Sequence, residues 1–424
     1  MKVVFLSTND QLGGAAIVTM RLVEALRSAG VDARMVVGRK DGTDDFVAQV
    51  GQTRRKVAKV LERGEVFINN GFDMVDLWKV STGSFGADVC GHPWVRDADV
   101  IVLGWINQGF LSLPQLKKLC HTGKPVFWWM HDLWCATGIC HLPPGGCSRF
   151  EVGCGLCPLL HRKKSQGDLS HRIWERKMRV IGQSPIRFIA VSSWQRDMAL
   201  RSSLLRGKGI DVIPHAFPVE LAYTEPRGDA TSEKLAFLNS LGNRRLIVMG
   251  AARLDDPVKN LPMAVTALNL FRDRYPQEAD GCEAVFFGTL RDHDMLNGLK
   301  MPYRLPGQLD AGELRQLYSA ASVVLSTSHF ETMGATLMEG MAGGAIPVTF
   351  NQGGQGDIVT HNENGFIADY GSAESIAANL ARALPLTGAP FTRTSQHASI
   401  ASRFSAPAIA GRFLELFDEA IRKA

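Results

Sequence analysis

The chain has 424 residues, 45% of them hydrophobic and 21% charged, with a formal net charge of +5. That length predicts more than one domain, and the composition is ordinary for a soluble globular protein. The charge permits anionic ligands or an anionic membrane surface, but it does not mark a nucleic-acid binder, and no nucleic-acid-binding motif is present.

Residues Met1–Thr8 are brief and apolar and run into Asn9-Asp10 without a cleavage pattern. They predict a first β-strand rather than a signal peptide, and hence a cytoplasmic protein. The longest apolar runs, 100–103 and 126–130, are far too short to span a bilayer. Gly13-Gly14-Ala15-Ala16 follows the first strand. Glycines there let backbone amides approach an anion at a helix N-terminus, or simply make a tight turn. The G-x-G-x-x-G fingerprint is absent, which argues against an NAD(P) enzyme. Residues 17–29 have helical spacing and stop at Gly30.

The next elements are short apolar strands at 33–37, 100–104, 126–130, 188–191 and 212–214. Continuous Val/Ile runs of this kind read as buried parallel strands. Between them, Arg54 to Leu61 sets cations and aliphatics at helical spacing, with Phe67-Ile68 beyond. That pattern fits a basic amphipathic helix on an anionic membrane, or a plain surface helix packed on its domain. Arg162-Lys163-Lys164 is a second small basic run. His131-Asp132 closes the strand 126–130. A His at a strand's carboxyl end can bond a sugar hydroxyl or shuttle a proton, or it can be a structural His paired with Asp132.

Five of the eight cysteines crowd into 135–157. Cys140, Cys147, Cys154 and Cys157 are separated by six, six and two residues, and Cys154-Gly155-Leu156-Cys157 is a knuckle of the zinc-holding kind. Structural zinc, two disulfides and free buried thiols all fit, with His141 and His161 as spare ligands. A catalytic zinc does not fit, because four thiolates leave no open position.

The stretch 224–243 is polar and carries Pro226, Gly228 and Gly242, which reads as an interdomain linker. The strand–helix alternation then restarts: strands at 246–249, 284–287, 323–326 and 346–350, and a helix at 262–271. Arg253 and Lys259 follow the first of these strands, where an Arg fork and a Lys point charge form a diphosphate clamp or are two solvated cations. Glu331 and Glu339 follow the third strand, eight positions apart. A strand running into a helix puts Glu331 at the lip of the sheet and Glu339 about two turns into the helix. That lip is where open α/β sheets bind ligands. Residues 407–421 read as an amphipathic helix packing back on the first domain. The expected organisation is α/β: a first domain 1–222 with a Cys-rich insertion at about 135–160, a second at 244–405, and a returning helix at 406–424. Two doubly wound, Rossmann-like domains facing across a cleft follow from it.

The Gly13-Gly14 loop, His131, the Arg253/Lys259 pair and the Glu331/Glu339 pair occur in the order found in family 4 glycosyltransferases of the GT-B fold, which the chain resembles over nearly its whole length. His131-Asp132-Leu133-Trp134, Thr137-Gly138 and the insertion ending Gly153-Cys154-Gly155-Leu156-Cys157-Pro158 look most like enzymes of colanic-acid and related exopolysaccharide assembly. The resemblance implies a UDP- or GDP-sugar donor in the second domain and a glycan or lipid-linked acceptor. It implies that Arg253 and Lys259 bind the diphosphate, Glu339 the ribose, and Glu331 and His131 the donor sugar, with the amides of Thr332, Met333 and Gly334 adding to phosphate binding. Transfer with retention is implied, with the leaving phosphate taking the acceptor's proton, so that neither a side-chain base nor a metal is needed. A peripheral place at the inner membrane face goes with a lipid-linked acceptor. Rival classes are a GT-B epimerase or phosphorylase and a non-catalytic sugar-nucleotide-binding protein.

Three features depart from the family pattern. Met333 stands where Phe is usual. Asp255-Asp256-Pro257-Val258 precedes Lys259. Pro214-His215-Ala216 replaces Pro-Asn-Gly.

Overall fold

The computed structural model describes residues 1–217, 230, 232–386 and 391–423. Contacts divide the chain into one unit of Met1–Ala216 with Ala406–Ala424 and a second of Phe217–Ser405. Each unit has its own parallel sheet and its own core.

The first sheet contains β1 (Lys2–Asn9), β2 (Asp32–Arg39), β3 (Val47–Gln49), β4 (Val100–Leu103), β5 (Val126–Met130), β6 (Arg187–Ala190) and β7 (Ile210–Val212). Their order is β3-β2-β1-β4-β5-β6-β7, with every neighbouring pair parallel. Val3 stands opposite both Ala33 and Val100, and all of β4 and β5 is buried. Covering both faces of a parallel sheet removes any polar alternation, which is why these strands read as unbroken apolar runs. The helix Ala406–Lys423 belongs to this unit. Its Phe417 meets Phe127 edge-on at 5.1 Å, and its Phe413 meets Trp129 at 5.2 Å.

The second sheet contains β8 (Arg245–Arg253), β9 (Cys282–Thr289), β10 (Tyr303–Gly307), β11 (Ala321–Ser326), β12 (Ile346–Phe350) and β13 (Phe366–Ala368), in the order β10-β9-β8-β11-β12-β13. Every pairing is again parallel, with Val323 between Ile247 and Ile346. In both sheets the order reverses beside the first strand of the unit, between β1 and β4 and between β8 and β11. Such a switch point opens a crevice at the carboxyl ends of the strands.

The strands β3, β10 and β13 were not expected. They are edge strands of three, five and three residues, too short for a periodic signal. The expected linker needs correction where it is described. Residues Glu233–Ser240 form a 3-10 helix that buries Leu235 and Leu238 in the core of the second unit, so they are part of that domain. Residues 224–229 and 231 of that stretch lie outside the described residues, as do 218–222 at the end of the expected first domain. Phe217 already belongs to the second unit, its amide donating to the Phe404 carbonyl at 2.7 Å.

The helix Ala335–Ala342 carries Glu339 and presses on β11 through Gly340. A Cβ on Gly340 would sit 2.5 Å from Val324 Cβ, so only glycine allows that approach. Gly340→Val is expected to destabilise the protein by about 3 kcal/mol through overpacking, measured by urea unfolding. An unchanged midpoint would show that the helix does not bear on β11.

Candidate functional site

The switch point of the second sheet gathers most of the expected residues. Arg253 ends β8, and a 3-10 turn, Pro257–Lys259, follows it. Asp256 caps that turn by accepting the Val258 amide at 3.0 Å. The loop after β11 comes up alongside: Thr327 donates its hydroxyl to the carbonyls of Lys259 and Asn260 at 3.0 and 3.1 Å, and the His329 amide donates to Val258 O. These bonds fix two loops from different strands as one rim.

On that rim Lys259 Nζ meets Glu331 Oε1 at 2.6 Å. Ser328 donates to the same oxygen at 2.7 Å. The two side chains are 25% and 20% exposed, so the pair is partly shielded yet reachable. Glu331 is held by its backbone as well. Its amide donates to Gln352 O, its carbonyl accepts from Gly354, and Gly353 comes so close that a Cβ there would lie 1.9 Å from that carbonyl. Arg253 is half-exposed, with Nε 3.2 Å from Asp255 Oδ1. The hydrogen bond from Arg253 holds the Asp255 carboxyl below the usual carboxylate range. The unusual Asp255-Asp256 therefore has two structural duties: one carboxylate steadies Arg253 and the other caps the turn.

Gly334 starts the next helix at φ +91° with no side-chain cap, after half-buried Thr332 and buried Met333. Met333 fills the core beside Leu337 and Ile358, which accounts for an apolar residue other than Phe at this place. Glu339 lies in the second turn, half-buried beside the Tyr318 hydroxyl. Burial, then the charge and hydrogen bond of Glu339, push the Tyr318 phenol well above its ordinary value. Sequence reasoning missed Ser328, Thr327 and Tyr318. A hydroxyl three residues before a carboxylate was the only available signal.

The first unit has its own feature at its switch point. A cavity of about 350 Å³ is lined by Ser7, Asn9, the Leu12–Ala16 loop, Trp105, Gln108, His131 and Asp132. It brings Gly13 and Gly14 together with His131. Gly13 has φ +91° as N-cap of the helix Gly14–Ser28, which explains the glycine. A second cavity of about 350 Å³ lies at the amino ends of β8 and β9, lined by Arg244 and 281–283. That is the end of the sheet opposite the switch-point crevice.

His131 does not pair with Asp132. Asp132 Oδ2 instead takes His141 Nδ1 at 2.6 Å and Trp105 Nε1 at 2.8 Å, while Oδ1 accepts the Trp134 amide at 2.8 Å. Burial pushes the Asp132 carboxyl up, but His141 and these donors outweigh it and hold it below the usual range. His131 places Nε2 at 3.1 Å from Thr19 Oγ1 and Nδ1 at 3.2 Å from His215 Nε2. Thr19 gives its hydroxyl proton to Ala15 O at 2.7 Å, so towards His131 it accepts. His131 is then the Nε2–H tautomer, and its Nδ1 accepts from His215. Both ring nitrogens are engaged inside the first unit, and a sugar contact by either one requires giving up a bond. The His215 that departs from the family pattern is the far end of this chain. Burial pushes His131 down to about 4, and burial with the neighbouring His131 pushes His215 well down too.

The eight cysteines are free thiols. Cys140, Cys147, Cys154 and Cys157 do line one small cavity, of about 20 Å³. Burial pushes Cys140 to about 12 and Cys154 and Cys157 to about 11, so these three are protonated at neutral pH. The spare ligands are committed elsewhere, His141 to Asp132 and Ser81, and His161 to Asp76 at 3.1 Å. Among the described residues no three His, Cys, Asp or Glu side chains stand as a ready ligand set. Structural zinc at these four cysteines rests on their spacing alone.

His131 and His215 are neutral when folded and protonate near pH 6.5 when unfolded. A depressed folded value means that stability is full above pH 6.5 and is lost as the pH falls towards 4. The melting temperature should fall between pH 7 and pH 5. His215→Asn, which can still donate to His131 Nδ1, should flatten that fall. An equally steep profile in the variant would contradict the assignment.

Residues 234–390 match the family model described as glycosyl transferases group 1. A GDP-Man:Man(3)GlcNAc(2)-PP-Dol alpha-1,2-mannosyltransferase of Dictyostelium discoideum is 27% identical over 175 residues, which are 37% of this chain and 34% of that protein. The chain thus matches only about a third of that relative's length. Among solved structures, Anabaena HepE in complex with UDP aligns with a TM-score of 0.61 at 17% identity, over 99% of this chain and all of that one. Sucrose-phosphate synthase from Thermosynechococcus elongatus aligns with a TM-score of 0.63 at 17% identity, over 100% and 99%. These likenesses give the fold of the whole chain, two parallel α/β domains of the GT-B type. The match to the glycosyl transferases group 1 model covers 234–390, the segment that contains the Lys259–Glu331 rim.

Proposed function

We propose that the protein is a retaining glycosyltransferase that moves a sugar from a UDP- or GDP-sugar to a glycan or lipid-linked acceptor in polysaccharide assembly. The observation that carries this reading is the Lys259–Glu331 pair at the switch point of the second sheet, with Arg253 half-exposed at the end of β8. Both kinds of donor stay in view. The Anabaena structure holds UDP, and the Dictyostelium relative is named for GDP-mannose and a dolichol-linked acceptor.

In this reading Lys259 and Arg253 receive the diphosphate, Lys as a point charge and Arg as a fork. Glu331 holds the Lys259 ammonium in place before the donor arrives, so less reorganisation is left for the reaction itself. Its second oxygen is directed to the donor sugar, Glu339 to the ribose, and the amides of Thr332, Met333 and Gly334 to the phosphates. As the bond from the anomeric carbon to the phosphate oxygen breaks, negative charge grows on the diphosphate, and the two cations stabilise it. The acceptor oxygen bonds to the same face of that carbon. Its proton passes to the departing phosphate oxygen, so no side-chain base is needed. His131, neutral at working pH, serves as a hydrogen-bonding group and not as an acid. We place the reaction in the cytoplasm. No helix among the described residues is long and apolar enough to cross a membrane.

The test is nucleotide release from a panel of UDP- and GDP-sugars, with membrane extract as acceptor source. Release from one donor, cut about 100-fold by Arg253→Ala with little change in KM, is the expected result. Loss of one charge-stabilising contact at a leaving group costs about 3 kcal/mol. Wild-type turnover in Arg253→Ala would remove the residue from the site.

A further inference from the structure

The helix Gln52–Asn69 is built inside out. Its buried face carries Arg55, Glu62 and Arg63 beside Ala58 and Val66. Its outer face shows Val57, Val60, Leu61 and Ile68, which are 48–70% exposed. Glu62 and Arg63 hold their places by bonds to backbone and to each other, while Arg55 Nε and Arg63 Nε are buried without a hydrogen-bond partner among the described residues. Glu62 Oε1 accepts the amides of Thr82 and Gly83 at 2.8 and 3.0 Å, and Arg63 bonds Glu62 and the carbonyls of Leu77 and Val80. Glu65 is spent on the hydroxyls of Thr82 and Ser84. The acidic side chains of this helix therefore point in, and four of its large aliphatic side chains, Val57, Val60, Leu61 and Ile68, point to water.

The loop that follows adds Phe72, Met74, Val75 and Trp78, which are 54–72% exposed. Half of the sixteen exposed large hydrophobics among the described residues thus fall between 57 and 78. The loop holds its shape. Asn70 donates to the carbonyls of Asp73 and Val75, and Asp73 accepts the Val75 amide at 2.9 Å. Phe72 takes φ +63° and packs edge-on against Phe67 at 5.5 Å. A positive φ at a bulky residue costs energy, and here the result is to keep an aromatic ring exposed.

Cations surround these side chains. Lys59 lies over Trp78 at 5.3 Å and Lys163 over Phe72 at 5.9 Å. Arg54, Lys56, Lys163 and Lys164 are exposed, and none of them has an ion-pair partner among the described residues. The nearby carboxylates are already used, Asp73 by Arg162 and Asp76 by Lys79 and His161. Burial, then repulsion from Arg55, Arg63 and Arg39, lowers the Lys59 ammonium, as expected where like charges crowd.

From this geometry we propose that the outer face of helix Gln52–Asn69, with loop 70–79 and the run Arg162–Lys164, is a docking surface for an anionic lipid bilayer. An apolar centre with a cationic surround matches hydrocarbon beneath phosphate headgroups. A second copy of the chain would set the same cations against each other, and a cationic partner protein would meet the same repulsion. The inference rests on this surface alone and stands whether or not the second unit transfers sugar.

The test is co-sedimentation of the full chain with vesicles of phosphatidylcholine, with and without about a third phosphatidylglycerol. Binding is expected to the anionic vesicles only, and weaker at higher salt. Phe72→Ser with Trp78→Ser, and separately Lys56→Glu with Lys163→Glu, should each weaken it at least about tenfold. All four positions are on the surface, and an unchanged melting temperature checks that the variants fold. No binding to anionic vesicles at low salt would overturn the proposal, as would equal binding by both variants. A concentration-dependent dimer abolished by the Phe72/Trp78 variant, without vesicle binding, would also overturn it and assign the face to self-association.

Discussion

The ion pair between Lys259 and Glu331 is the contact on which the proposed chemistry of the second unit depends. It joins a turn after β8 to a loop after β11, the two strands on either side of the switch point. Thr327 and Ser328 brace it, and Gly353 admits the backbone that holds Glu331. A partly shielded cation bonded to a carboxylate is held in position. In the proposed reading an arriving diphosphate finds that cation already aimed, and the carboxylate keeps one oxygen for a neutral hydroxyl. Arg253, half-exposed and bonded to Asp255 at the end of β8, is the second cation of the proposed clamp.

The first unit solves a different problem. Two half-buried imidazoles, at the end of β5 and after β7, share one hydrogen-bond chain with Thr19 and Ala15. In the tautomers assigned above both rings are neutral, with Thr19 accepting from His131 Nε2 and His131 Nδ1 accepting from His215 Nε2. The electrostatics of that cavity are therefore hydrogen-bonding rather than ionic. The one firmly charged group among them is Asp132, held by His141, Trp105 and the Trp134 amide.

Much of this was legible in the chain. The central strands declared themselves as Val/Ile runs because parallel strands buried on both faces have no polar side, and Gly13, Arg253, Lys259 and Glu331 each followed such a strand. What escaped depends on distance through space. The partners of His131 sit 112 and 84 positions away, and no local pattern points to Thr19 or His215. The edge strands were too brief for periodicity. The polar stretch before Arg245 looked like a linker because two leucines among charged residues do not reveal that they reach a core. The helix at 52–69 showed its basic and apolar composition, but spacing alone did not show that its aliphatics face outward, because that orientation is set by Thr82, Gly83 and Ser84 claiming its two glutamates.

The central claim is that Lys259, held by Glu331, is the diphosphate-binding cation of this domain. Calorimetric titration of UDP and GDP into wild-type protein and Lys259→Ala tests it most directly, with thermal melts to confirm that the variant is folded. The account predicts that one nucleotide binds the wild type and that the folded variant binds it at least about tenfold more weakly. Equal affinity in the two proteins would contradict it.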